Sequence, residues 1–377
     1  MRDFQTIGER FDYVKGRPAG FDYMKITLAM MVVVFHSVSV SHGSKAGEWL
    51  WDTPAQPFFR AVLPLFFGVS GFLVSASLDR CNTLIKFLGL RAIRIYPALA
   101  VEVTLSAFII GPLLTTYTLQ AYFSDPLFAS YLLNAVGEIH YRLPGLFADN
   151  PHPHTVNGQL WTIPYELYSY IAVAGIAVLG VKRKRIIAPI TVVVLTLLHF
   201  VMRLKAHEWQ YVPFEGALSG SLLVLSAMVG VTLYFYRDVI PWTPAAFAAA
   251  TLATLIGLSF PWGGEYASLF TPYVAIYLGL MDPKRIFLVK NVDYSYGMYL
   301  YGFVIQQTFA ALVPEGRHWL INSVVCVFAS FAFAAFSWHF VEKPAQKAKV
   351  LVDRLEALYL AVATKWRSRA AAVQPPQ

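Results

Sequence analysis

Apolar residues fill this chain in runs of about twenty, parted by short clusters of Lys, Arg, Pro and Gly. A helix rises 1.5 Å per residue, so about twenty apolar residues cross the ~30 Å hydrocarbon core of a bilayer. The runs predict ten spans, at 24–42, 60–79, 95–116, 160–180, 186–203, 214–236, 244–260, 265–281, 295–313 and 318–341. A further apolar stretch, 127–137, is too short to cross and reads as re-entrant or interfacial. The expected fold class is all-α, a polytopic membrane helix bundle. It divides into a membrane domain, 1–341, and a tail, 342–377. The middle of the tail reads as an amphipathic surface helix carrying Trp366, and its end, RSRAAAVQPPQ, as disordered.

Charge orients the bundle. Cations cluster at the N-terminus (Arg2, Arg10, Lys15, Arg17, Lys25), after span two (Arg80, Lys86, Arg91, Arg94), after span four (Lys182 to Arg185), after span eight (Lys284, Arg285, Lys290) and in the tail. With ten spans and both termini cytoplasmic, all of these fall on one side, as the positive-inside rule requires. The net charge of +8 therefore reflects topology rather than nucleic-acid binding. No cleavable leader is read, because the first twenty or so residues are polar, so the first span reads as a signal anchor. Cys81 and Cys326 fall at different depths, which argues against a disulfide, and no metal-ligand spacing is present.

Against this background the polar residues inside apolar runs stand out. His36 follows Lys25 by eleven residues, about three turns, so the two share a helix face, with the imidazole roughly 16 Å deeper than the cation. An ionisable group at that depth is a functional-site hypothesis, against the alternative of a structural histidine bonded to a neighbouring helix. An imidazole can take a proton from a hydroxyl near neutral pH or act as a nucleophile. Asp22, three residues before Lys25, is its expected partner. Arg91 and Arg94 are helix neighbours able to grip phosphate, or else a plain positive anchor.

Glu166, in LWTIPYE, is expected roughly 9 Å in from the outer boundary, at a depth near that of His36, where helix packing would let it orient the imidazole. Trp161 reads as a sugar-stacking platform or an interfacial belt residue. The segment 117–159, with PHPHTVNGQ and Asn157 near its end, reads as a long external loop on the acceptor side. Gln306 and Gln307 are costly near the midplane unless bonded, and are expected to line the same cavity. In span two, Gly68, Ser70, Gly71 and Ser75 form a small-residue packing face; Ser70 lacks the elbow of a nucleophile. His199 and His339 read as structural.

Taken together these residues resemble the acyltransferase-3 family of bacterial membrane acyltransferases, over roughly residues 20–345. The likeness rests on Lys25 and His36 as a basic-x10-His pattern, FFGVSGFL in span two, Arg91 and Arg94 as R-x-x-R, LWTIPYE, SYGMYLYGF from Ser295, and HFVEKP. It implies transfer of an acyl group, expected to be acetyl, from cytoplasmic acetyl-CoA or another acyl-CoA to a hydroxyl of an extracytoplasmic or lipid-linked glycan. The expected location is the bacterial cytoplasmic (inner) membrane. No permanently bound cofactor is expected.

By the resemblance His36 and Glu166 are catalytic. Lys25, Arg91 and Arg94 handle the donor, while Trp161, Asn157 and Gln306 are assigned to the substrate. The chain departs from the family in carrying Gly302 and Val304 where many members have His and Pro. Only about 35 residues follow the last span, too few for the hydrolase-like domain some members append. The acyl group then goes directly to the acceptor or through a separate extracytoplasmic partner; a homo-oligomer is equally compatible. The rival class is a transporter or flippase of a lipid-linked saccharide. It accounts for ten spans but not for cations gathered on the donor side.

Overall fold

The computed structural model describes residues 5–16, 18–43, 53–205, 218–260, 263–286, 289–290 and 292–372, with no side-chain description for 365–372. Among these residues there is no strand, only two isolated bridges. The main helices are α1 (Ala19–His42), α2 (Gln56–Arg80), α3 (Leu84–Leu114, through a π turn at Ser106–Ile110), α4 (Ile163–Val178) and α5 (Ile187–Lys205). They continue as α6 (Gly220–Phe235), α7 (Pro244–Leu258), α8 (Gly264–Gly279), α9 (Ser295–Leu312), α10 (Trp319–Ser337) and α11 (Lys349–Ala372).

Each of the ten predicted spans falls on one of α1 to α10. Five helical stretches are long and apolar enough to cross a membrane unaided: α1, α2, α3, α5 and the run from Trp319 to Thr364. The others have 15 to 18 residues. A sixteen-residue helix is about 24 Å long, short of a ~30 Å core. Several helices begin earlier than expected, and one of these shifts bears on the candidate site. α3 begins at Leu84, not 95, so Arg91 and Arg94 sit inside it rather than before it. Described structure for the sixth span starts at 218, and residues 214–217 lie outside the described residues. Trp366 likewise has no described side chain.

α2 is the hub. Its glycines let partner backbones close in: a Cβ on Gly71 would strike the Ala227 carbonyl of α6, and one on Gly68 would meet Pro272 of α8 at 2.8 Å. The small-residue face thus packs helices, as its composition predicts. α5 lies outermost, exposing Ile190, Val193, Val194, Leu197 and Leu198. With Leu113 of α3 and Phe328 of α10, each above 70% exposed, these form the apolar exterior that a lipid environment requires.

The cationic turns converge on one end. The Lys182 ammonium donates to the Cys81 carbonyl at 2.8 Å, Arg185 pairs with Asp238 at 2.8 Å, and Arg10 donates to the Leu280 carbonyl at 3.0 Å. The tail docks there too, since Lys86 pairs with Asp353 at 2.9 Å.

The segment 117–159 is not simply external. It begins with two short helices, Leu119–Ser124 and Pro126–Leu132. Residues 150–157 then run irregularly against α9, exposed at Pro153 and His154 and buried from Val156, and pass into a 3-10 turn at Gly158–Thr162. Asn150 donates to the Gln307 side chain at 2.8 Å, and Gln307 returns bonds to the carbonyls of His152 (2.8 Å) and Thr155 (2.7 Å). Two turns deeper, Asn157 donates to the Leu300 carbonyl at 2.8 Å and to Glu102 at 2.9 Å. Non-helical backbone survives at membrane depth when protein groups satisfy it in this way.

Candidate active site

Lys25 lies one and a half turns into α1, near the cationic end. Its ammonium meets Asp293 at 2.7 Å, while Asp22, its expected partner, stands at 3.6 Å. Asp293 sits just before α9 and also accepts from Arg94 (3.3 Å) and from the Ser295 hydroxyl (2.6 Å). Burial alone would raise the Asp293 carboxyl, but the two cations outweigh it and hold the group well below the usual carboxylate range. Asp293 is therefore a charged clamp that fixes both cations. Nothing in a basic loop marked it in advance except its place directly before SYGMYLY.

One turn of α3 from Arg94, Arg91 donates to Ser77 at 3.1 Å and lies over the Tyr170 ring at 5.9 Å. The Tyr170 phenol donates to Glu166 at 2.5 Å. Glu166 and Tyr170 are i,i+4 neighbours on α4, which places both on the face toward α3. Lys25, Arg91, Arg94, Glu166 and Tyr170 thus line one cavity of about 150 Å³. Its remaining wall is largely apolar and aromatic, including Phe66, Phe67, Leu73, Tyr296 and Tyr299, with Ser70 of α2 as a polar exception.

Two wider spaces open from this cavity toward the cationic end. One, of about 320 Å³, is bounded by Arg80, Lys86, Arg91, Arg94 and Lys349; the other, of about 660 Å³, by Lys15, Arg80, Arg91, Arg285 and Asp293. Arg91 borders all three spaces. The three spaces meet at Arg91, the smallest with a largely apolar lining and the two larger ones with several cations; together they are termed the funnel.

Tyr299 closes the narrow end. Its phenol donates to the Gln159 carbonyl at 2.6 Å and meets the Thr162 hydroxyl at 2.5 Å, while the Gln159 amide donates to the Tyr299 carbonyl. His36 lies beyond this closure. Its ring packs edge-on against Phe303 at 5.2 Å, and His152 packs on the same phenylalanine at 5.8 Å. Tyr299 and Phe303 are one turn apart on α9, so His36 stands roughly 6 Å further along the axis than the cavity's end. The His36 Nδ1 is buried and forms no hydrogen bond of full strength; the Val32 carbonyl, one turn below, is its backbone neighbour.

The structure thus gathers Lys25, Arg91, Arg94 and Glu166 but leaves His36 outside their cavity. Glu166 does not orient His36 as expected: its bonding partner is Tyr170, and its charge faces Arg91 and Arg94. Gln306 and Asn157 line none of the three spaces. Gln306 is fully buried and staples α9 to α1 through the Val33 carbonyl (2.7 Å) and the Ser37 hydroxyl (2.6 Å). Asn157 is likewise fully buried, with its amide donating to Glu102 and Leu300. Trp161 packs on Tyr165 at 5.9 Å rather than lining the funnel. His199 bonds Ser221 at 2.9 Å and Glu265 at 3.3 Å, a packing role.

An acyltransferase domain matches residues 19–341, which include every residue lining these spaces except Lys15, Gly16 and Pro18 before it and Glu342, Gln346 and Lys349 after it. The chain belongs to the acyltransferase-3 family. Two curated proteins are similar over nearly their full length. An "O-acetyl transferase" of Shigella phage Sf6 is 27% identical over 343 residues, covering 86% of this chain and 94% of its own. "Nodulation protein 10" of Rhizobium leguminosarum bv. viciae is 27% identical over 372 residues, covering 91% and 97%. No solved structure matches the chain. Family membership and the apolar exterior together make this a multi-pass membrane acyltransferase. It decides against the transporter reading, which ten spans alone left open.

Proposed function

We propose that this acyltransferase moves an acyl group, in the first instance acetyl, from cytoplasmic acyl-CoA to a hydroxyl of an extracytoplasmic or lipid-linked glycan. The carrying observation is the funnel that leads from the cationic end to within one turn of His36. The cationic end faces the cytoplasm of the inner membrane in this reading, in line with the positive-inside rule. Arg91 and Arg94 are set to hold donor phosphates, for which guanidinium groups suit paired hydrogen bonding. Lys25 stands next to them. The narrow apolar cavity suits the pantetheine arm and the thioester.

The transfer needs one base and no covalent intermediate. When the Tyr299 closure parts, the thioester carbonyl meets His36, and the glycan hydroxyl arrives from the opposite side, past residues 138–157. The His36 imidazole takes the hydroxyl proton as the oxygen attacks the carbonyl carbon. The carbon–sulfur bond then breaks, and the imidazolium returns that proton to the departing CoA sulfur. With Nδ1 buried against the preceding turn, Nε2 is the nitrogen assigned to this task. Glu166, bonded to Tyr170, is assigned to holding the donor channel's charge balance against Arg91 and Arg94. The names of the two relatives, one an O-acetyl transferase, support acetyl as the group.

The test is mass spectrometry of surface glycans from cells carrying wild-type protein, His36→Ala or Arg94→Ala, at matched expression. Loss of a general base costs on the order of 100-fold or more. Wild-type O-acetylation with His36→Ala would remove His36 from the chemistry.

A further inference from the structure

The tail was expected to lie on the membrane surface; in the structure one face of α11 rests on the protein, while Leu351, Leu355, Leu358 and Tyr359 are exposed. Val352 is 7% exposed and rests on Gly89 of α3, where a Cβ would come within 2.8 Å of it. Glu356, also 7% exposed, accepts from the Thr83 hydroxyl at 2.8 Å and pairs with Lys86 at 3.3 Å. Lys86 meets Asp353 as well, at 2.9 Å. This docking brings Gln346 and Lys349 to the rim of the 320 Å³ space, opposite Arg80 and Arg94. All of it lies beyond residue 341, where the family match ends.

The cations around that space are not equivalent. Lys86 is neutralised by two tail carboxylates, and Arg94 by Asp293. Lys349 is exposed, and its polar neighbour is the Gln346 amide oxygen at 3.4 Å, not a carboxylate. Five cations, Arg80, Lys86, Arg91, Arg94 and Lys349, line the space against two carboxylates, Asp293 and Glu342, and that excess of positive charge favours an anion.

We propose that the C-terminal segment after Glu342 forms one wall of the donor vestibule and that Lys349 binds a phosphate of the nucleotide end of acyl-CoA. This rests on the reading that the donor arrives from the cationic end. α11 is then a positioning element, holding Lys349 at a fixed height above Arg91 and Arg94. An anionic lipid headgroup offers the same phosphate chemistry, so the experiment must tell the two apart.

Full-length protein in nanodiscs of phosphatidylcholine alone, and with added phosphatidylglycerol, is assayed with acetyl-CoA and with S-acetyl-pantetheine, which has no nucleotide. Lys349→Glu is expected to raise KM for acetyl-CoA about tenfold, the equivalent of one charge-assisted hydrogen bond. Its kcat, and its KM for S-acetyl-pantetheine, stay at wild-type values. Val352→Asp, which undocks α11 and exposes it to protease, is expected to give the same split. Unchanged KM in both variants overturns the proposal while leaving the donor reading intact. So does a KM effect confined to discs with phosphatidylglycerol, which reassigns Lys349 to a headgroup. If the wild type shows no preference for acetyl-CoA over S-acetyl-pantetheine, the donor reading fails and the tail proposal falls with it.

Discussion

Asp293 is the sharpest handle on this site, because one carboxylate restrains two cations from different helices. Asp293→Asn keeps the shape and removes the charge. It leaves the Lys25 ammonium, 14% exposed, without the carboxylate 2.7 Å away, and leaves Arg94, 41% exposed, without its own. Breaking a fully buried pair from one side costs about 3–5 kcal/mol, whereas an exposed pair is worth under about 1 kcal/mol. Lys25 sits near the first limit and Arg94 near the second, so a loss of about 2–3 kcal/mol is expected.

The assay is a double-mutant cycle with Lys25→Met and Asp293→Asn, read by equilibrium unfolding in mixed micelles. Once Lys25 is gone, losing Asp293 should cost about 1–2 kcal/mol less than in the wild type. A group whose folded value is depressed stabilises fully above its ordinary value, here 3.8, and loses that contribution as pH falls toward the folded value. The coupling should therefore be equal at pH 5 and pH 8 and fade only in stronger acid. Additivity of the two single variants within about 0.5 kcal/mol would refute the clamp.

Other outcomes follow from the same geometry. Arg91→Lys and Arg94→Lys keep the charge but lose the planar fork, and each should raise KM for acyl-CoA by about tenfold with a smaller change in kcat, measured by CoA release. Asn157→Ala leaves the Leu300 carbonyl and Glu102 short of a donor, and should lower stability by about 1–3 kcal/mol, read as a lower unfolding midpoint. Gly71→Ala sets a methyl against the Ala227 carbonyl and should cost about 1–3 kcal/mol, seen as reduced yield of folded protein. Tyr299→Phe removes the phenol bonds to Gln159 and Thr162 that close the cavity; a rise in the rate of CoA-thioester hydrolysis by water is expected, measured as acceptor-independent CoA release.

The helices were legible because the bilayer imposes a length and a polarity on them, and all ten predicted spans coincide with helices. The cations of the cavity were legible for a related reason: Lys25, Arg91 and Arg94 break apolar runs near their ends, at helical spacing. What pairs with them was not legible. Asp293 is 268 residues from Lys25, and no local pattern links them. The partner of Glu166 was not legible either, because counting residues inward from an assumed boundary gives a depth and not a neighbour, and its bond goes to Tyr170. Gln306 was marked by polarity at depth, which is a sound signal of constraint, and Asn157 by its place in a polar loop. Neither signal separates a ligand contact from a bond between helices.

The inward course of residues 150–162 also sets an order of events in the making of this protein. Its bonds to α9 reach residues 137 to 157 positions further along the chain, from the Thr162–Tyr299 pair to the Asn150–Gln307 pair. A stretch rich in His, Asn and Pro has no lipid-soluble form of its own, so it cannot settle at that depth until α9 is in place to receive it. This part of the bundle is therefore expected to settle only after synthesis has passed residue 312, the end of α9. Until then the precursor is a set of apolar helices with an open centre. A defect in α9 should accordingly show first as a protease-sensitive 138–157 segment, while the earlier helices remain membrane-inserted.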